Sequence, residues 1–186
     1  MNVRKITGDI QEIEKGIQEQ NKVCEKIMDI ADETKKACGD LLVDVGIFCL
    51  EQHNKVKGIV EESAGDIRIE QEDRGSLEAR LKDMIRKYDF FEIAYITDAD
   101  GVQVTSNIVS ERLKSSSIGA GYDIDWSERE WFFYVRDRVE TYISGIYRSK
   151  ATDDFCITVS VPLFNNKDGF SGVLAVDVNF EDLLTV

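Results

Sequence analysis

The sequence predicts an α+β protein: a long N-terminal helical stalk over residues 1–65, a polar linker over 66–75, and one sheet domain over 76–186. Three observations carry this. Apolar residues recur at alternating steps of four and three from Ile6 to Phe48, the seam of a coiled coil or bundle. After Tyr88 the hydrophobic period drops to two, the signature of strands. Short clusters of Asp, Asn and Gly then punctuate the strand-like runs at hairpin spacing.

The seam runs through Ile6, Ile10, Ile13, Ile17, Gln20, Cys24, Ile27, Ala31, Thr34, Cys38, Leu41, Val45 and Phe48. A lone helix has nothing to bury such a stripe against, so a partner is required: a second chain, or this chain folded back at Gly39 and Asp40. A seam longer than 40 residues favours a homodimer. Its small and polar middle, Gln20 to Thr34, suits a closely approached bundle with two near-equal packings.

Residues 66–75 are polar and end in Gly75. Ser76 is expected to cap a helix whose apolar face is Leu77, Leu81, Met84, Ile85 and Tyr88. Strands follow at 90–97 and 102–107, joined by a turn at 98–101 in which Gly101 supplies positive φ. A Ser/Gly-rich loop covers 115–121. Ser127 and Glu130 have capping-box spacing and should open a helix carrying Trp131, Val135 and Val139 on one side. Three antiparallel strands, 142–149, 155–164 and 170–179, complete a five-stranded sheet covered on one face. Asn179 can cap a terminal helix at 180–184.

Composition removes several function classes. A formal net charge of −13 with no basic patch argues against nucleic acid. No segment approaches the apolar length of a membrane span; residues 41–50 are too short and contain Asp44. The start lacks a signal-peptide core. A cytoplasmic location is expected if Met1 is the natural start, and a soluble fragment of a membrane receptor otherwise. One histidine, His53 in the stalk, and no nucleophile–base or phosphate-loop motif speak against an enzyme. Asp98 and Asp100 are explained by their turn. Cys24, Cys38, Cys49 and Cys156 are too few and scattered for a disulfide framework. Cys38, Cys49 and His53 lie near one helix face and keep a metal or redox sensor open as an alternative. Cys38 and Cys49 stand about 16 Å apart on a straight helix, so one chain alone cannot join them at an ion. No metal and no cofactor are expected.

Five segments in order resemble the Cache family of PAS-like sensor domains found in bacterial chemoreceptors, histidine kinases and diguanylate cyclases. They are residues 95–101 (YITDADG), 125–132 (DWSEREWF), 142–147 (YISGIY), 158–162 (TVSVP) and 172–177 (GVLAVD). The resemblance implies a PAS-like five-stranded sheet, hung on a long leading helix, with a ligand cavity between the sheet and the region of residues 115–140. It also implies a signal-transduction role in chemotaxis or kinase control, with a chemoreceptor or kinase as downstream partner. The stalk resembles chemoreceptor signalling bundles less specifically and lacks their kinase-gripping hairpin tip.

Arg129 and Trp131 match the Arg-x-Trp pair with which amino-acid-binding members hold an α-carboxylate. Arg129 is expected at the second position of its helix, where free N–H groups would assist the guanidinium. Asp177 stands in an apolar strand, where a carboxylate is costly unless paired; in those members the matching Asp receives the ammonium. Tyr122, Tyr142 and Tyr147 are candidates to add hydroxyls to the cavity. Where the amino-acid pattern continues Tyr-x-Asp, this chain has Phe132 and Tyr134, and Ile124 replaces an expected tyrosine. The ligand class that follows is a small carboxylate, organic acid or amino acid. The rival is a scaffold module of the same fold that binds nothing.

Overall fold

A computed structural model describes residues 2–113, 119, 121–149 and 152–183. Residues 1–50 and 51–186 form two units. Helix α1 (Asn2–Ala64) is unbroken through Gly39 and Asp40, so the fold-back turn does not form. A single interior glycine costs only about 1 kcal/mol relative to alanine, too little to break a helix of this length. In the first unit the seam residues from Ile6 to Val45 are exposed, Ile10 and Ile27 among them.

The second unit is built on one antiparallel sheet. Its elements are α2 (Arg74–Lys87), β1 (Phe91–Asp98), β2 (Ile108–Val109), a 3-10 turn (Glu111–Leu113), α3 (Glu130–Arg138), β3 (Tyr142–Ile143), β4 (Tyr147–Arg148), β5 (Phe155–Phe164), β6 (Phe170–Asn179) and α4 (Phe180–Leu183). The spatial order is β2-β1-β6-β5-β3, with β4 also on β5. The sheet is therefore five positions wide; the strand expected at 142–149 is split around residues 144–146 into β3 and β4.

Helices cover both faces rather than one. On one face the last turns of α1 (Val56, Val60, Ala64) and α2 (Leu77, Leu81, Met84, Ile85) pack on Ala94, Ile96, Val159 and Val176. On the other, Trp131, Phe132 and Val135 of α3 pack on Ile93, Tyr95, Val173 and Ala175. The near-continuous apolar runs of β5 and β6 are what a strand buried on both sides requires.

Several local expectations shift for identifiable reasons. Asp73 caps α2, its Oδ1 accepting from Ser76 N at 2.8 Å, so the helix begins two residues before Ser76. The stretch 66–75 is no free linker, because Ile67 is buried in the core. The capping box of α3 does not form. Asp125 Oδ1 takes the N–H of Ser127 in a tight local turn, and Arg129, without a side-chain cap bond, becomes the N-cap. Val139 is not on the packed face; it ends α3 in the left-handed conformation at φ 56° and is exposed. The strand expected at 102–107 is reduced to two isolated bridges, Thr97 with Gln103 and Val102 with Asp125. Thr105 intervenes: its Oγ1 accepts the N–H of Ile96 at 3.0 Å in place of a backbone carbonyl. The regular partner of β1 arrives later, at Ile108 and Val109.

The turns follow their chemistry. Asp98 Oδ1 accepts from the N–H groups of Asp100 and Val102, and Gly101 has φ 93°. Asn179 Oδ1 accepts from Asp182 N at 3.0 Å and caps α4. The expected loop at 115–121 falls mostly outside the described residues, as does Leu184.

At Gly172 the backbones of β1 and β6 leave no room for a side chain: an added Cβ would stand 2.1 Å from Thr97 O. Since β1 and β6 are both central, neither strand can yield. Gly172→Ala is expected to lower unfolding free energy by about 3 kcal/mol or more, as large losses arise where a special backbone position is filled. Urea denaturation measures it, and a loss under about 1 kcal/mol contradicts the packing described.

Candidate functional site

A cavity of about 660 Å³ opens between α3 and the face of the sheet that α3 covers. Strand alternation fixes what lines it. Along β6, Val173, Ala175 and Asp177 point towards α3, while Leu174, Val176 and Val178 enter the opposite core. Thr158 of β5 and Ile93 of β1 are the cross-strand partners of Asp177, and both line the cavity with it. Aromatic rings wall the space: Tyr95, Trp126 and Trp131 lie 5.7–6.0 Å from one another, with Tyr142 and Tyr147 completing the lining.

Asp177 is held by hydroxyls. Thr158 Oγ1 donates to Asp177 Oδ1 at 2.8 Å. Tyr147 OH lies 3.0 Å from the same Oγ1 and, since the single threonine proton is spent, acts as donor. Desolvation pushes the pKa of Asp177 up to about 6, the bonds from Thr158 and Tyr147 pull against it, and the nearby Glu92 carboxylate adds to the rise. Burial likewise raises the Tyr147 hydroxyl, with the charge of Asp177 reinforcing it. Tyr95 is raised well above its ordinary value, by burial first and then by Asp177 and Tyr147; the Arg129 guanidinium acts in the opposite sense.

Arg129 stands at the mouth. It is exposed, its guanidinium carbon lies 5.9 Å from the Trp126 ring, and it shares the rim with Glu128 and Glu130. The site is an open cleft with a cation at the rim and a carboxylate on the floor. Arg148 also borders it, but its guanidinium is bonded to Asp153 at 3.0 Å.

Of the six residues singled out from the sequence, Arg129, Trp131, Asp177, Tyr142 and Tyr147 line this one cavity. Tyr122 does not: it is exposed and stacked under Arg74, whose Cζ is 3.9 Å from the ring centroid. Arg129 is the N-cap rather than the second helical residue. Phe132 is core, and Tyr134 packs on Tyr142 at 5.1 Å.

Sequence reasoning missed Tyr95, Trp126 and Thr158, whose inward placement depends on strand register. It also missed Glu92, fully buried at the β1 bulge between Phe91 and Ile93, where it accepts from Asn179 Nδ2 at 2.9 Å and Cys156 Sγ at 3.0 Å. The signal that exposed Asp177, a carboxylate inside an apolar run, was equally present in residues 90–96. Burial and then the bond to Glu92 drive the Cys156 pKa upward, so this thiol stays protonated and unreactive. Cys49 lies outside the residues whose side chains are described; Cys38 is exposed, and His53 has its Nε2 buried without a partner. Among the described residues no three His, Cys, Asp or Glu side chains gather as a metal site would need.

Comparison with known proteins identifies the family and the fold. The model of the methyl-accepting chemotaxis protein-like, first PDC sensor domain, matches residues 68–185. The chain belongs to this family. Its PDC sensor domain also has the fold of the ligand-binding domain of a Campylobacter jejuni chemoreceptor solved with L-norvaline (16% identity, 73% of this chain and 54% of that one, TM-score 0.54). A Pseudomonas aeruginosa amino-acid chemoreceptor domain solved with L-Arg is similar (17% identity, 70% and 50%, TM-score 0.51). A curated relative, a citrate (Re)-synthase of Syntrophus aciditrophicus, is 33% identical over 106 residues, which are 56% of this chain and 16% of that enzyme. The chain thus spans under a fifth of that relative and about half of each receptor domain. Among the described residues no helix is long and apolar enough to cross a membrane.

The raised pKa of Asp177 makes stability depend on pH. Its carboxyl is protonated in both states below about pH 4, and folding is progressively penalised as pH rises through 6, by at most about 3 kcal/mol. Asp177→Asn keeps the acceptor for Thr158 and removes the charge. The variant is expected to match the parent near pH 4 and exceed it in urea stability at pH 7.5. Equal stability at both pH values contradicts a desolvated carboxylate.

Proposed function

We propose that the PDC sensor domain binds a small carboxylate-bearing metabolite in the α3 cavity and relays occupancy through α1 of a homodimer. The observation that carries this reading is the pairing of opposite charges in one cleft, Arg129 at the rim and Asp177 on the floor. The Arg129 guanidinium, with no short acceptor bond among the described residues, offers a bidentate grip on a carboxylate. The aromatic walls exclude water from the ligand's remaining surface and strengthen that grip.

Two ligand chemistries suit the cleft, and pH separates them. An amino acid places its ammonium on ionised Asp177, so its affinity rises as pH passes upward through 6. A dicarboxylic acid needs Asp177 protonated as a donor, so its affinity falls over the same range. The receptor domains solved with L-norvaline and L-Arg support the amino acid; the missing Tyr-x-Asp continuation at Phe132 and Tyr134 supports the organic acid. A thermal-shift screen of both sets is expected to yield a stabilising compound whose effect disappears in Arg129→Ala, a loss of roughly tenfold or more in affinity for one charged contact. If no compound in either set stabilises the protein, the non-binding scaffold replaces the sensor.

A contact beyond the cavity suggests the relay. Tyr142 lines the cleft, and its neighbour Thr141 donates from Oγ1 to Glu61 of α1, which is also 3.7 Å from Lys57. The link from α3 to this contact passes through Val139, a β-branched residue held at φ 56°, a conformation costing about 1–2 kcal/mol. Beside it a cleft of about 630 Å³, bordered by Arg68, Val139 and Pro162, leaves the link room to move. Closure of α3 on a ligand would relax Val139 and shift Glu61, biasing the packing of the helix pair. Cys24 lies in the seam and is exposed, so its oxidative inter-chain crosslinking reports that packing. The active compound should alter the crosslinking rate in the parent and not in Thr141→Val. An equal response in both would show that the signal travels by another route.

A further inference from the structure

The cleft holds more negative charge than the Arg129–Asp177 pair accounts for. Glu128 and Glu130 flank Arg129 on the rim and border the same cavity. Among the described lining residues three carboxylates, Glu128, Glu130 and Asp177, therefore face two guanidiniums, Arg129 and Arg148. Arg148 is committed to Asp153 at 3.0 Å, which leaves Arg129 as the cation open to a ligand.

A second observation fixes where one of these acids stands. Tyr142, on the edge strand β3, lines the cleft, and its hydroxyl bonds the Glu130 carboxylate. Burial raises the Tyr142 pKa first, and the charge of Glu130 and this bond raise it further. A carboxylate accepts up to about four hydrogen bonds, so Glu130 keeps acceptor capacity after taking one from Tyr142. It also stands in the first turn of α3, where the helix dipole favours its ionised form. Glu130 is thus an ionised acid at the mouth, tethered to the cleft wall.

We infer that the ligand is a basic amino acid, with its carboxylate on Arg129, one of its two cations on Asp177 and the other on Glu130. This class rests on the cavity being a ligand site, as proposed above, and narrows what that site takes. A zwitterion with an uncharged side chain leaves the rim glutamates uncompensated. A dicarboxylate brings further negative charge beside them, and like charges so placed select against a ligand. One anion and two cations are the complement of one open guanidinium and two held acids. Glu128 adds attraction at longer range. The Tyr95, Trp126 and Trp131 rings offer faces to the methylene stem and attract the cation at its end.

Calorimetric titration at pH 7.5 tests the class with L-ornithine, L-lysine and L-arginine, beside L-norleucine, which lacks the side-chain cation, and adipate. The tightest basic amino acid is expected to bind at least about tenfold better than L-norleucine, or about 1.4 kcal/mol, and adipate to bind more weakly than either. Glu130→Gln keeps an acceptor for Tyr142 and removes the charge. It should lower the affinity for the basic amino acid about tenfold and leave that for L-norleucine within about twofold. An unchanged thermal transition of the ligand-free variant confirms folding. If L-norleucine or adipate binds as tightly as every basic amino acid, the basic class is overturned while the sensor reading stands. The same holds if Glu130→Gln lowers the affinities for L-norleucine and the basic amino acid equally. If none of the five binds, the class is overturned, and the Arg129-dependent thermal-shift screen decides separately whether the cavity binds anything.

Discussion

A carboxylate in the middle of an apolar strand is costly, and the sensor unit is organised around that cost at Asp177. The strand cannot turn the residue outward, because a shift of one position would drive Val176 and Val178 out of the opposite core. Packing on one face therefore fixes the charge on the other. Thr158, held opposite by register, and Tyr147, two residues along the β5 ladder, supply hydroxyls that lower the cost without cancelling it. A residue whose pKa is left near 6 is only partly compensated. What remains is a site that gains when a cation or an extra donor enters, which is the physical basis of a ligand pocket.

The same reasoning separates Asp177 from Glu92. Both are acids set into apolar strands a short distance apart on one face of the sheet. Glu92 is fully buried and has both oxygens engaged, one by Asn179 and one by Cys156. Nothing can reach it, and its partners are neutral groups of the fold. Asp177 borders open space and has a bonded oxygen facing Thr158. Burial alone does not separate the two acids; access does.

Much of this was legible in the sequence because it depends on local chemistry. The turns at Asp98 and Asn179, the buried face of α2, and the inward charge of Asp177 each follow from residue type and spacing. What was not legible required knowing which of two competent groups wins. Asp73 outranked Ser76 as a cap, Asp125 captured the N–H of Ser127 before a capping box formed, and Thr105 intruded on the ladder that residues 102–107 were expected to make. Each competition involves groups of nearly equal strength, settled by tertiary contacts that a single sequence does not print. Tyr122 was misplaced for a related reason: tyrosine and the Arg74 guanidinium attract across elements distant in sequence.

The unit's two layers bear directly on the proposed relay through α1. Its last turns are part of the sheet core through Val56, Val60 and Ala64, so they cannot be detached without exposing the face that fixes Asp177. On the other side of the same turns, Glu61 meets Thr141, one residue from the cavity wall. Apolar packing thus makes this part of α1 rigid with the sheet, while one polar bond ties it to the segment that the proposed relay would move. A helix anchored only by the core would not sense occupancy, and one anchored only by the bond would not transmit it. Under the proposed relay, a small displacement at residues 139–142 would act on the last turns of α1, which the core holds rigid with the sheet.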